Sequence, residues 1–289
     1  MEKLSMKENQ EIEIEILDAV SEICDKQGYR YYLVFGTLIG AIRHKGFIPW
    51  DDDLDIMMPR PDHDKFIEYF ISHKEDYPNL RIFTPDLNKE YPYMITRVSD
   101  DRYRIVMENE KPYGMGVFID IYPYDGMGNT WKEAVKFEKR GDYLSSLCFQ
   151  ATRVHLEKGI TKSMIRKVIK PVVFIFSKAI GKDFFIKQLK KQAGKKPYES
   201  SKYVGNAIWG NGGEICIYDR ELFDDYVLVD FEGKKYKAPK GYDKFLRHIY
   251  GDYMELPKEN DRKPHHKYYV VKNPEYTNNK THHWERDYE

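Results

Sequence analysis

The sequence predicts a mixed α/β (α+β) fold, on three observations. Residues 29–72 alternate between β-branched or aromatic runs and segments with a helical spacing of apolar side chains. Residues 131–196 carry a long helical pattern, and residues 226–239 form two short apolar runs around Glu232 and Gly233, as in a β-hairpin. The 289 residues are enough for one large domain, so we expect a single domain with additions.

The elements of the N-terminal half follow one another in a regular order. Leu17, Val20 and Cys24 recur at helical spacing and Gly28 is a natural stop, which predicts a first helix over residues 10–27. The next predicted elements are a strand at 29–35, a short helix at 36–44, a strand at 53–58, a helix with Asp62 as its N-cap, and strands at 80–84, 92–98, 102–107 and 116–122.

The predicted domain, residues 1–289, divides into four segments. They are a core at 10–130, a basic helical insertion at 131–200, a C-terminal segment at 201–265 and a polar tail at 266–289. Gly159, Pro171 and Gly181 are expected to interrupt the insertion, because glycine and proline weaken or break helices. The C-terminal segment holds the hairpin and a short helix at 242–253, and the tail, rich in His, Tyr and Lys, is expected to be solvated.

Composition argues against several kinds of protein. The 47 Lys and Arg residues balance 47 Asp and Glu, so no overall field favours nucleic acid, and we expect no nucleic-acid partner. Cys24, Cys148 and Cys216 form no C-x-x-C pair, which disfavours a disulfide framework and a cysteine zinc site. The first residues lack the apolar run of a signal peptide, and the run at 172–176 is too short to span a bilayer. We therefore expect a cytoplasmic protein that is not integral to the membrane.

Four aspartates crowd into residues 51–55, next to an apolar run. On a strand, Asp53 and Asp55 would project to one face, about 6 to 7 Å apart, while Leu54 and Ile56 face the core. Two such charges repel each other unless a divalent cation offsets them, and oxygen ligands favour Mg²⁺ or Mn²⁺ over zinc. The alternative is a solvated acidic turn that binds nothing.

Asp120 favours the metal site. It lies alone in the apolar run VFIDIYP, where a bare carboxylate is costly to bury. If this strand lies beside the first, three carboxylates converge. A calcium-binding EF-hand is excluded, because Ile56 stands where that loop needs Gly and Asp62 where it prefers Glu.

Gly36 and Thr37 lie where a strand is expected to turn into a helix. Backbone N–H groups point outward at such a junction, and a small residue lets a phosphate approach. The segment GTLIG matches neither a Walker loop nor a dinucleotide-binding fingerprint. Together with the aspartates on the next strand, it points to phosphoryl or nucleotidyl transfer.

The stretch GTLIGAIRHKGFIPWDDDLDIMMPR, residues 36–60, resembles the signature of the LicD family of phosphotransferases, a branch of the nucleotidyltransferase superfamily that also resembles fukutin and fukutin-related proteins. GVFIDIYPYDG (116–126) and FEGKKYKAPKGYDKFLRHIYGDYMELP (231–257) are similar to other motifs of the family. The resemblance covers about residues 10–265 apart from the helical insertion, and it implies a nucleotidyltransferase-like mixed sheet core. The cysteine zinc element of the fukutin-related proteins has no counterpart here, which favours the bacterial branch.

The resemblance implies that Asp53, Asp55 and Asp120 are catalytic and hold Mg²⁺ or Mn²⁺, and that Gly36 and Thr37 lie under the phosphates of a nucleotide. Family members move the phospho-alcohol group of a CDP-activated alcohol, often CDP-choline, to a glycan hydroxyl of teichoic acid, lipopolysaccharide or capsule, and release CMP. We expect phosphocholine transfer. The alternatives are CDP-ribitol, CDP-glycerol, CDP-ethanolamine or a nucleoside triphosphate as donor, and, second, a non-catalytic glycan-binding or scaffold protein.

Asp120 is the first candidate for a general base, because a carboxylate near the metal could accept the proton of the acceptor hydroxyl. His265 or His266 is the alternative.

Other residues near the motif are candidates for substrate binding. Arg43, His44 and Lys45 could contact phosphates, or they form a solvent-facing basic helix end. Trp50 is either part of the core or part of an aromatic box for a quaternary ammonium group. Residues 250–252 match the late motif of the family, with their role open.

Residues 158–196 carry twelve Lys or Arg and one acid, Asp183, interleaved with apolar runs. Such a segment fits the surface of an anionic membrane, where a lipid-linked glycan acceptor would be presented. The alternative, which we favour at this point, is a pair of core-packed helices with a basic outer face.

Overall fold

The computed structural model describes residues 2–156, 164–206, 208, 213–264, 266 and 268–276. Its α-helices are α1 (Met6–Gln27), α2 (Phe35–Ile39), α3 (Arg60–Ser72), α4 (Trp131–Thr152), α5 (Met164–Ile180), α6 (Lys182–Lys190) and α7 (Tyr242–Tyr250). Its strands are β1 (Tyr32–Leu33), β2 (Asp55–Pro59), β3 (Leu80–Phe83), β4 (Thr96–Asp100), β5 (Tyr103–Met107), β6 (Val117–Gly128), β7 (Tyr203–Gly205), β8 (Ile217–Asp219), β9 (Tyr226–Phe231), β10 (Lys234–Pro239) and β11 (Tyr268–Lys272).

A mixed seven-stranded sheet forms the centre of the fold, which confirms the predicted mixed α/β class. Five strands lie in the order β1-β2-β6-β4-β3, and β7 and β8 extend the sheet from the far end of β6. β2 runs parallel to β6, with Asp55 in register with Asp120. On the other side of β6, antiparallel β4 brings Arg97 into register with the same Asp120. The sheet therefore places a second carboxylate and a guanidinium group beside Asp120.

α1 packs across this sheet, against β6 and β4. It begins at a capping box in which Ser5 and Glu8 satisfy each other's backbone N–H groups, and it ends at Gly28 in a left-handed conformation. Its apolar face, which includes Leu17 and Val20, is completely buried. The predicted helix at 10–27 is confirmed, and the cap explains why it starts four residues earlier.

The segment from β1 to α3 differs in detail from the prediction. The strand expected at 29–35 is only two residues long, because the helical backbone already starts at Phe35. The short helix at 36–44 is confirmed, with a final π-helical turn at Gly40–His44. Asp62 is not the N-cap of α3: it lies inside the first turn and accepts a 2.5 Å hydrogen bond from Arg30 Nε.

The remaining strands of the core lie close to their predicted places. β3 and β5 agree with the expectation to within a residue, whereas the strand expected at 92–98 lies at 96–100. β6 is longer than predicted: it continues past residue 122 to Gly128, with an irregularity in its pairing to β7 near Gly126.

The helical insertion contains α4, α5 and α6. Pro171 lies within α5 and does not interrupt it, while Gly181, with φ of 83°, separates α5 from α6. Gly159 lies outside the described residues. The three helices share a small apolar core that includes Leu147 and Phe185. In the described part of the chain, each helix is too short or too polar to cross a membrane.

The C-terminal segment confirms the predicted hairpin and corrects the predicted tail. β9 and β10 pair around Glu232 and Gly233, both of which have positive φ, and α7 follows. Residues 268–272 do not belong to a solvated tail: they form β11, which pairs antiparallel with β5, and Val270 and Val271 are buried. Residues 277–289 lie outside the described residues.

Candidate active site

The centre of the site is a group of three carboxylates, Asp51, Asp52 and Asp53, whose ligand oxygens lie within 4.8 Å of one another. The backbone fixes this segment on both sides. The N–H of Asp51 donates to the carbonyl of Ile48 at 2.9 Å, and Gln10 Nε2 of α1 donates to the carbonyl of Asp51, also at 2.9 Å. Asp51 itself is buried, whereas Asp52 and Asp53 are half-buried. The three adjacent acids are therefore only partly solvated, and their binding of a cation stays a prediction.

The carboxylates of this group repel one another strongly. Burial, followed by the charge of Asp53 and its hydrogen bond to Asp51, raises the pKa of Asp51 to about 8. Burial and the charges of Asp53, Asp120 and Asp51 raise the pKa of Asp55 well above its usual range. The predicted trio of Asp53, Asp55 and Asp120 lies in one neighbourhood, since Asp55 is in register with Asp120, although the strand expected at 53–58 starts at Asp55, so Asp53 precedes it. The oxygens that approach most closely, however, belong to residues 51–53.

Asp55 is positioned by a residue of the predicted phosphate turn. Its backbone N–H donates to Oγ1 of Thr37 at 2.8 Å, which links the first residue of β2 to α2. The carboxyl of Asp55 is buried, and its Oδ1 has no hydrogen-bond partner among the described residues. A buried acceptor without a donor is suited to bind a cation. Thr37 is itself buried, so its hydroxyl serves the fold in this structure.

Gly36 is needed because Asp51 packs directly against it. A Cβ at this position would lie 2.5 Å from Oδ2 of Asp51 and 3.4 Å from its Cγ. Any side chain here would therefore displace the carboxylate. In this structure, the carboxylate of Asp51 lies against Gly36. That a phosphate approaches Gly36 stays a prediction.

Asp120 is held by Arg97, a residue that the sequence analysis missed. Nε of Arg97 donates to Oδ1 at 2.6 Å, and Nη2 donates to Oδ2 at 3.4 Å. The guanidinium also lies over the rings of Tyr93 and Phe118, at 4.9 and 4.1 Å from their centroids. Both carboxylate oxygens of Asp120 therefore already accept hydrogen bonds.

A cleft of about 640 Å³ opens beside the carboxylates. Asp51, Asp53 and Asp55 line it together with Gly36, and α7 and the loop after it supply much of the remaining wall. Four aromatic side chains also line the cleft: Phe35, Trp50, Tyr250 and Tyr253. Its volume is in the range typical of pockets for small ligands.

The predicted basic residues have definite partners at this cleft. Nη1 of Arg43 donates to the carbonyls of Tyr253 at 2.7 Å and Glu255 at 3.1 Å, and Nε donates to Nε2 of His44 at 3.0 Å. Arg43 thus ties the turn after α2 to the loop after α7 while its charge stays at the cleft. Lys45 lies in a left-handed turn, and its carbonyl accepts from the N–H of Glu232.

Trp50 lines the cleft and is half-buried, and the guanidinium carbon of Arg262 lies 5.5 Å from the centroid of its indole ring. A cation of the protein therefore already lies over Trp50. The predicted aromatic box for a ligand cation stays a prediction.

His266 contacts the acidic group, whereas His265 lies outside the described residues. Nδ1 of His266 lies 3.2 Å from Oδ1 of Asp52 and 3.8 Å from Oδ2 of Asp53, and the backbone N–H of His266 donates to Asp52 at 3.2 Å. Burial lowers the pKa of His266, but the hydrogen bond to Asp52 and the charges of Asp53 and Asp52 outweigh this and raise it. When protonated, this imidazole is a counter-charge to Asp52 and Asp53.

Glu13 is a further acid that the sequence analysis did not select. It lies on α1, is buried, and accepts a 2.8 Å hydrogen bond from Asn9 Nδ2. Burial and the charges of Asp53, Asp52 and Asp51 raise its pKa well above the usual range. A signal was present, because Glu13 shares a helical face with Leu17 and Val20, where an apolar residue is expected.

Comparison with known proteins shows the family of this chain. A family model described as LicD/FKTN/FKRP, nucleotidyltransferase domain, matches residues 28–159, which include Gly36, the aspartates of residues 51–55 and Asp120. Lipopolysaccharide cholinephosphotransferase LicD of Haemophilus influenzae is 33% identical over 270 residues, which is 92% of this chain and 97% of that protein. An uncharacterized protein of Rickettsia typhi is 27% identical over 179 residues, 54% of this chain and 57% of its own. The chain therefore belongs to the LicD family of phosphotransferases.

Proposed function

We propose that this protein transfers phosphocholine from CDP-choline to a hydroxyl group of a cell-surface glycan and releases CMP. The observation that carries the proposal is the match to a relative named as a lipopolysaccharide cholinephosphotransferase, which extends over 92% of this chain and includes the cleft. Lipopolysaccharide is accordingly the first acceptor class to test, with teichoic acid and capsule as the alternatives.

The carboxylates fit a hard divalent cation, and we propose Mg²⁺ or Mn²⁺. Asp51, Asp53 and Asp55 repel one another, and Oδ1 of Asp55 has no hydrogen-bond partner among the described residues, so this group offers oxygen ligands to a cation. A bound cation would neutralise phosphate charge and favour departure of CMP. Asp120 is predicted to be a further ligand. Its carboxylate oxygens accept hydrogen bonds from Arg97, so Asp120 would bind the cation only if one of these hydrogen bonds is shared or broken.

The cleft would hold the donor beside these acids. Arg43 and Lys258 are its positively charged lining residues and would bind phosphate oxygens. The aromatic walls would contact the cytosine ring or the quaternary ammonium group, which is attracted to aromatic faces. Apolar walls also exclude water, so they favour transfer to the glycan over hydrolysis.

The acceptor hydroxyl must lose its proton as its oxygen attacks the phosphorus. Asp120 is the proposed proton acceptor, and His266 is the alternative. Asp120 is the first candidate, because the pKa of His266 is raised and its protonated form has no free lone pair for this task.

The test is CMP formation from CDP-choline, CDP-ribitol, CDP-glycerol and CDP-ethanolamine in parallel, with CDP and pyrophosphate measured when CTP is the donor, and each reaction is run with Mg²⁺ or EDTA. We expect CMP from CDP-choline only, loss of activity in EDTA, and loss of activity in Asp53→Asn. Asp230→Asn is the matched control, since this exposed hairpin residue lies outside the cleft. Cleavage of another nucleotide instead of CDP-choline would identify that nucleotide as the donor. No cleavage of any nucleotide in the presence of glycan would favour the scaffold alternative.

A further inference from the structure

α5 presents an apolar face that no described part of the protein covers. Its exposed side chains are spaced three or four residues apart along one side of the helix, and their exposed fractions lie between 37 and 67%: Ile169, Val172, Ile175, Phe176 and Ile180. Phe184, at the start of α6, is also half exposed. Soluble proteins rarely expose such a continuous apolar surface without using it.

Another side of α5 fixes the helix to the protein. Val173 packs against the core shared with α4 and α6, and Ser177 is fully buried. The alternative from the sequence, a core-packed helix with a basic outer face, is therefore only half right. α5 is packed on one side, but its outer face is mainly apolar.

Positive charge is concentrated in the same segment of the chain as this apolar face. Residues 169–196 contain eight lysines and one acid, in a chain whose total charge is balanced. Several of these lysines make no ion pair with any described residue: Lys170, Lys178, Lys187, Lys191 and Lys195. A groove of about 630 Å³ beside α6 is lined by Lys89, Lys187, Lys190 and Lys191.

We propose that α5 and α6 form a docking surface for an anionic lipid bilayer. The apolar side chains of α5 and Phe184 would enter the boundary of the acyl chains, and the lysines would contact lipid phosphates. A second copy of the chain fits less well, because two such surfaces would bring like charges together. The helix lies in the interface and does not span the bilayer, in keeping with its 17 residues. This proposal does not depend on the identity of the donor.

The test is co-sedimentation of the full chain with vesicles of phosphatidylcholine alone or mixed with phosphatidylglycerol. We expect binding only to the anionic vesicles, and weaker binding at high salt. Ile175→Ser/Phe176→Ser and, separately, Lys187→Gln/Lys191→Gln should each weaken binding on the order of tenfold. The substituted side chains are largely exposed, so both variants should fold, as circular dichroism can check.

Control variants distinguish binding through this surface from nonspecific adsorption to vesicles. Leu228→Ser removes an equally exposed apolar side chain, and Lys65→Gln/Lys235→Gln removes the same charge elsewhere on the surface. Both should bind like the wild type. Binding that ignores anionic lipid, or that all variants share, would overturn the proposal. So would a lipid-free dimer, seen by sedimentation velocity, that Ile175→Ser/Phe176→Ser abolishes.

Discussion

Asp55 lies in register with Asp120 on the adjacent parallel strand, and the two carboxylates have different surroundings. Both oxygens of Asp120 accept hydrogen bonds from Arg97, while Oδ1 of Asp55 is buried without a partner among the described residues. One acid is thus neutralised by the protein and the other is not. The second, together with Asp51 and Asp53 at the cleft, belongs to the site where we propose that a cation binds.

The metal-free protein should lose stability as the pH rises, and Asp51→Asn should reduce that loss. The pKa of Asp51 is about 8 when folded and roughly 4 when unfolded, so the folded state binds the proton more tightly. Asp51 therefore destabilises the folded state increasingly as the pH rises from about 4 to about 8. In EDTA at pH 8, we expect the free energy of unfolding of Asp51→Asn, measured with denaturant, to exceed that of the wild type by about 1–3 kcal/mol. At pH 4 the difference should vanish, and a difference that is independent of pH would contradict the assignment.

Gly36→Ala should impair the site, although alanine is the better helix former. Its Cβ would clash with Oδ2 of Asp51 at 2.5 Å and displace the carboxylate. We expect at least about a tenfold loss of CMP formation, since misplaced catalytic groups are costly. The double variant Gly36→Ala/Asp51→Ala should be no worse than Asp51→Ala alone. Additive losses would show that Gly36 acts through something other than Asp51.

Thr37→Val should destabilise the fold by about 1–3 kcal/mol, because the N–H of Asp55 loses its acceptor. Thermal or chemical denaturation measures the change. Thr37→Ser retains the hydroxyl and should stay close to the wild type. If Thr37 only contacts phosphates, the outcome reverses: stability is unchanged and the KM for the donor rises.

Arg97→Met should be among the most destabilising single substitutions in the core. It leaves the buried carboxylate of Asp120 without its partner, at a cost of about 3–5 kcal/mol. Arg97→Met/Asp120→Asn should recover much of that loss, because no unpaired charge remains. A double variant as unstable as Arg97→Met would mean that the packing of Arg97 between Tyr93 and Phe118 dominates.

Local patterns were enough to predict much of this fold. The apolar spacing before Gly28 located α1, and the Glu-Gly turn located the hairpin of β9 and β10. β11 escaped notice because its pairing with β5 joins residues that are far apart in the chain. Its Val270 and Val271 lie in a segment that otherwise reads as polar.

The sequence predicted which acids lie near one another but not their closest contacts, and the roles of these acids stay predictions. The D-x-D pattern singled out Asp53 and Asp55. The close contact of Asp51 with Gly36 of α2 arises only in the folded chain, so the sequence offered no reason to select Asp51. Arg97 could not be selected from the sequence. Its role arises from the register of β4 with β6, a long-range pairing that no local pattern encodes.

The most direct test of the central claim follows the phosphocholine group to its destination. The purified protein, Mg²⁺ and CDP-choline are incubated with lipopolysaccharide that lacks choline, and the glycan and the released nucleotide are quantified by mass spectrometry. Asp53→Asn serves as the inactive control. We predict that phosphocholine is attached to the glycan in equal amount to the CMP released, in the wild type only. CMP with free phosphocholine and an unmodified glycan, or an active Asp53→Asn, would contradict the account.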